Sequence, residues 1–209
     1  MERETRLNEI SNLMGKNFIG YNELKYIVNE FPLNLNVNIP EIPFTDTELK
    51  EKKDNYILIL GMSELIDGQA LNLINLRDVF GFDPQISEPC FYNQDWYVNE
   101  AFVTKTLENR WYLIKKHIFD ESRGISPDIL KKDLNFPSAI LCAYTFFAYW
   151  FVRSEFLWQY DFVWCDDKDH NGDIIYVGKY TDIDGVNKNG FSVHRHLAIR
   201  NFYGAVESL

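Results

Sequence analysis

The run AILCAYTFFAYWFV, from Ala139 to Val152, decides the fold. It holds 14 residues without a charge, and Arg153 and Glu155 follow at once. A membrane-crossing helix wants about 20 apolar residues, whereas a run of about 10–14 suits a helix buried in a core. Apolar and aromatic side chains lie all round this one, so it needs cover on most sides. The spacing predicts a long core helix that begins at Pro137 and ends near Gln159. No transmembrane segment is expected.

Downstream, the periodicity changes from helical to alternating. Between Asp161 and Asp166, Phe162 and Trp164 alternate with Val163 and Cys165. Between Asp173 and Tyr180, Ile174 and Tyr176 alternate with Ile175 and Val177. Asn171-Gly172 lies between the two runs, and that dipeptide is a strong hairpin signal. A second Asn-Gly, at 189–190, precedes Phe191, Val193, Arg195 and Leu197. These runs predict an antiparallel meander packed on the long helix.

Upstream, the chain reads as helical and punctuated. Residues 2–14 and 21–30 carry apolar positions at helical spacing, and Phe31-Pro32 ends the second run because proline disfavours a helical residue before it. Residues 32–44, with three prolines, predict an extended crossing segment or an edge strand. Thr45 and Glu48 form a capping-box pattern. Tyr56 to Gly61, YILILG, predicts a strand buried on both faces. Leu71–Phe80 and Tyr97–Leu107 predict helices, Arg110–Ile114 a strand, and Ser126-Pro127-Asp128 the start of a short helix. The expected class is therefore α+β: a helical N-terminal half and a long buried helix packed on a mainly antiparallel C-terminal sheet. At about 150 residues per domain, the 209 residues predict a single domain over 1–209, with a weak sub-boundary near 120–136.

Composition narrows the function classes. With 21 Lys and Arg against 31 Asp and Glu, the net charge is -10, which repels phosphate backbones and argues against nucleic acid as a partner. The three cysteines, Cys90, Cys142 and Cys165, are too widely spaced for a disulfide framework or a zinc finger. The N-terminus lacks the apolar stretch of a signal peptide. The expectation is a soluble cytoplasmic protein with free thiols. P-loop, GxGxxG, GxSxG and HExxH patterns are all absent. Aromatic residues are in excess at 16%.

Three constellations could carry chemistry. The first is the acidic tip, Asp166 to Asp173. From Asp167 it matches the opening of a calcium loop, D-x-D-x-N-G, with Asp167, Asp169, Asn171 and Asp173 as oxygen donors. The twelfth position, however, is Gly178 where a bidentate Glu belongs, and an exposed hairpin tip needs the same residues. The second is His194 and His196, which share one face of a strand and so form half of a zinc or iron site. Asp166, Asp167, Asp169 or His170 could complete it. The same pattern also suits a plain polar face. Arg195, on the opposite apolar face, needs a partner, for which Glu155 and the tip aspartates are candidates.

The third constellation is the loop from Glu88 to Tyr97. There Tyr92, Asn93, Asp95 and Trp96 combine stacking faces with oriented hydrogen-bond groups, as a small-molecule pocket does. A loop folded over the core would use the same residues. Cys90 with His117 is a weaker nucleophile pair with no local signature. The leading expectation is a non-catalytic binding or interaction protein, with an unknown protein or small-molecule partner and an exposed aromatic patch that could form a homodimer face. One alternative is a metal-dependent hydrolase using His194 and His196 with the tip aspartates. The other is a domain stabilised by Ca²⁺ at 167–173. No cofactor is certain, and a divalent cation, Ca²⁺ or Zn²⁺, is the candidate.

Overall fold

The computed structural model describes residues 2–181, 189–196 and 198–209. Leu197, expected in the last strand, therefore lies outside the described residues. The charge-free run forms helix α6, and five further helices and two mixed sheets surround it among the described residues. The helices are α1 (Glu2–Met14), α2 (Tyr21–Tyr26), α3 (Asp46–Lys52), α4 (Leu73–Phe80), α5 (Pro127–Leu130) and α6 (Ala139–Arg153). None is long and apolar enough to cross a membrane.

The first sheet holds β1 (Phe18–Ile19), β2 (Tyr56–Leu60) and β3 (Trp111–Lys115) in that order. Its first pair is parallel and its second antiparallel. Every residue of β2 is buried, as its unbroken apolar run predicts. The C-terminal tail lies along β3: Leu113 and Leu209 exchange backbone hydrogen bonds, and Lys115 N–H donates to Glu207 O at 2.9 Å. The second sheet holds β4 (Phe162–Lys168), β5 (Ile174–Thr181), β6 (Asn189–Arg195) and β7 (Tyr203–Gly204). Its order is β6-β5-β4-β7, with β7 parallel to β4 and the other pairs antiparallel. The expected meander is present, and β7 is an addition to it.

Helix α6 touches β4, β5 and β6 as well as β1, α2 and α4, which supplies the all-round cover its composition demands. It is shorter than expected at both ends. Ser138 caps it by accepting the Leu141 N–H at 3.2 Å. Ser154 adopts a left-handed conformation and closes the last turn with an N–H to Trp150 O. Arg153 anchors that end through bonds to the carbonyls of Lys16 and Phe18.

Other elements depart from the sequence reading for local reasons. The helix expected over 21–30 stops at Tyr26 and continues as turns. Residues 32–44 make only an isolated bridge, Leu33 to Leu65. Tyr97–Leu107 is not an α-helix. It holds a short 3-10 turn, Ala101–Thr104, preceded by an extended Glu100 whose carboxylate is committed to His170. The second Asn-Gly lies within β6 and is not a turn. Gly190 has φ 142°, and an added Cβ would meet Phe91 backbone at 2.6 Å, so only glycine lets the preceding loop approach.

The C-terminal sheet is buried on both faces. Val163, Val177, Val193 and Phe191 point into the main core with α6. Trp164, Ile174, Tyr176 and Tyr203 form a second cluster with Phe136 and Ala205 on the other face. Most of the aromatic excess is thus core, although Tyr160 is exposed.

Candidate metal centre

The β4–β5 hairpin brings the acidic tip to a sharp turn, and Gly172 supplies the positive φ of 87° it requires. Asp169 closes this turn from within. Its Oδ1 accepts the N–H groups of Asn171 and Asp173, both at 2.9 Å. Asp169 and Asp167 are nonetheless among the most buried polar residues of the chain. Asp167 points the other way. Its Oδ2 accepts the Ala139 N–H at 2.6 Å, at the start of α6, and its Oδ1 pairs with Lys105. A carboxylate there complements the helix dipole. Asp166 is exposed and pairs with Lys131 at 2.6 Å.

The structure therefore does not gather the calcium-loop donors at one point. Asp167 is used by α6, and Asn171 and Asp173 meet Asp169 through their backbone N–H groups. It gathers a different set. Ligand atoms of Glu100, Asp169 and His170 all lie within 4.8 Å of one another. The Glu100 carboxylate accepts the His170 backbone N–H at 2.8 Å and lies 2.6 Å from the ring Nδ1. Glu100 is buried, while the His170 side chain is 68% exposed. Asp169 Oδ2 is buried and accepts no hydrogen bond. Burial alone would raise the Asp169 pKa, but the N–H donors of Asp173 and Asn171 and the nearby His170 outweigh it and hold the pKa below its ordinary value. Arg195 Nη1 lies 3.6 Å from that free oxygen, so a tip aspartate is its ion-pair partner.

His194 near the end of β6 and His196 just beyond it both pack against aromatic rings. His194 stacks on Tyr176 with ring centres 5.1 Å apart and meets the edge of Phe162. His196 meets Trp164 edge-on at 5.3 Å. Burial pushes the His194 pKa down to about 4, so the ring is neutral near pH 7. Its Nε2 has no hydrogen-bond partner. Among the described residues, no group of three metal-ligating side chains includes either histidine.

The 88–97 loop runs along the edge of β6. Tyr92 N–H donates to Phe191 O and Phe191 N–H to Cys90 O, both at 2.8 Å. Further along, side chains replace backbone. Val193 N–H donates to Gln94 Oε1 at 3.2 Å, and the Trp96 indole N–H donates to Val193 O at 2.9 Å. An open strand edge is thereby covered. Tyr92 packs edge-on against Tyr180, Asp95 pairs with Arg77 at 2.6 Å, and Asn93 borders a shallow surface cleft with Phe82 and Asp83. Cys90 is buried, which pushes its thiol up to about 11 and keeps it protonated at neutral pH.

Comparison with known proteins found no matching family model, no matching curated protein and no matching solved structure. Glu100 is the member that sequence reasoning missed. It stands 70 residues before His170, within no motif.

Proposed function

We propose that this protein binds a divalent transition-metal cation at Glu100, Asp169 and His170, and that the cation fastens the β4–β5 hairpin to the 95–100 segment. The observation that supports this reading is the buried Oδ2 of Asp169, which accepts no hydrogen bond, in a residue whose carboxylate groups with the buried Glu100 and the accessible His170 imidazole. A buried carboxylate oxygen without a donor carries a desolvation cost that a cation would offset. Two carboxylate oxygens and one imidazole nitrogen suit Zn²⁺ or Mn²⁺ better than Ca²⁺, which takes six to eight oxygens. In a tetrahedral shell with bonds near 2.0–2.1 Å, neighbouring ligand atoms lie ~3.3 Å apart. The exposed His170 ring can make that adjustment. The fourth position would face solvent.

The test is isothermal titration of the untagged protein with Zn²⁺, Mn²⁺ and Ca²⁺, alongside thermal melting in chelator. One equivalent of Zn²⁺ or Mn²⁺ is expected, with a higher Tm and much weaker Ca²⁺ binding. Asp169→Asn keeps the Oδ1 that closes the turn, so it tests the ligand role without removing that acceptor. It should weaken binding about 100-fold, as should Glu100→Gln. Binding that survives both substitutions, or no binding by the wild type, would overturn the reading.

A further inference from the structure

We propose that Arg195 is a built-in competitor for this site, and that a bound cation drives its guanidinium away from Asp169 and further onto the Trp96 ring. This rests on the cation reading above and deepens it. In β6, Arg195 stands opposite Ile175, which sets it beside the hairpin tip. Its Nη1 is 3.6 Å from Asp169 Oδ2, close enough for attraction but beyond a good hydrogen bond. Oδ2 keeps no donor even with the guanidinium present. The contact is therefore one of charge, and it is replaceable.

The second contact of Arg195 shows where it goes. Its Cζ lies 5.6 Å from the centre of the Trp96 ring, and that ring is held by its indole N–H on Val193 O. An arginine over a fixed indole face keeps a favourable position without its carboxylate. The side chain is 39% exposed, so the movement needs no unfolding. The charges then decide which ions compete. Glu100 and Asp169 carry two negative charges against one guanidinium. A monovalent ion adds no more charge than Arg195 already supplies. A dication does, and two positive centres a few ångströms apart repel strongly in a partly buried setting. Arg195 thus lowers affinity for every cation and leaves only divalent ones able to load.

The experiment is titration of the full chain with Zn²⁺ and with Mn²⁺ in the wild type, Arg195→Gln and Arg195→Lys. Arg195→Gln should bind about tenfold more tightly, and Arg195→Lys, which keeps the charge, should bind within about threefold of the wild type. Trp96 emission, taken as the difference between the wild type and Trp96→Phe, should change on cation addition. It should not change in Arg195→Gln. Unchanged or weaker binding by Arg195→Gln overturns the competitor role while leaving the cation site standing. Should Arg195→Gln fail to fold, a Trp96 signal that ignores the cation in the wild type overturns it instead. Absence of any wild-type binding that Asp169→Asn abolishes removes the site itself, and this inference with it.

Discussion

Two neighbouring places near the tip of the β4–β5–β6 sheet hold the same kinds of side chain in opposite conditions. At the tip, His170 stands in water against the buried carboxylates of Glu100 and Asp169. Farther from the tip, His194 is stacked on Tyr176 and surrounded by rings, with no carboxylate within bonding distance. The first imidazole is set among negative charge and stays in contact with solvent. The second is desolvated, and its pKa falls to about 4. A histidine pair on one strand face is thus not half of a metal site unless the opposite wall carries charge. Here the wall is aromatic.

The adjacent aspartates sharpen this contrast, and they carry the largest expected effect. Asp167 is consumed by α6 and Lys105, whereas Asp169 keeps one oxygen free. Asp167→Ala should lower stability by about 3 kcal/mol in urea denaturation, because it leaves a buried N–H without an acceptor and breaks a half-buried ion pair. A loss below about 1 kcal/mol would break the distinction between the two aspartates.

The next effect is the response to acid. The folded His194 pKa of about 4 lies below the ordinary value of 6.5, so between these values the unfolded chain binds the extra proton. Stability must then fall as the pH drops from 6.5 towards 4, by ~2–3 kcal/mol from this residue alone. Melting curves of the wild type and His194→Phe across that window should diverge as the pH falls. Parallel curves would place His194 in contact with solvent. At pH 7 the same His194→Phe should change stability by less than about 1 kcal/mol, since it removes a buried Nε2 that has no partner but also the 3.4 Å contact of Nδ1 with Gln94, and it retains the ring stack. The smallest effect belongs to Asp95→Asn. Its carboxylate is 78% exposed, and its loss should change stability by less than about 0.5 kcal/mol and leave cation binding unaltered.

Local chemistry made much of the fold legible. Thr45 and Glu48 make the reciprocal capping box their spacing predicts, with Thr45 N–H donating to Glu48 at 2.8 Å. The charge-free run became the core helix, YILIL became a strand buried throughout, and Asn171-Gly172 turned the hairpin. Each depends on residues within a few positions of one another. The helix expected at 97–107 failed because periodicity cannot register a carboxylate engaged by a backbone 70 residues away.

The sequence by itself determined the class, the central helix, the hairpin and the acidic character of its tip, because periodicity, capping and turn chemistry act over short distances. It also pointed to the tip aspartates as candidate partners for Arg195, and Asp169 is the one that meets it. Tertiary structure alone decided which acid serves which purpose. It turned Asp167 to the helix start and Asp169 to its own turn, brought Glu100 to His170, and set aromatic rings around His194. Those choices depend on which distant surfaces meet, and on the desolvation that follows when they do.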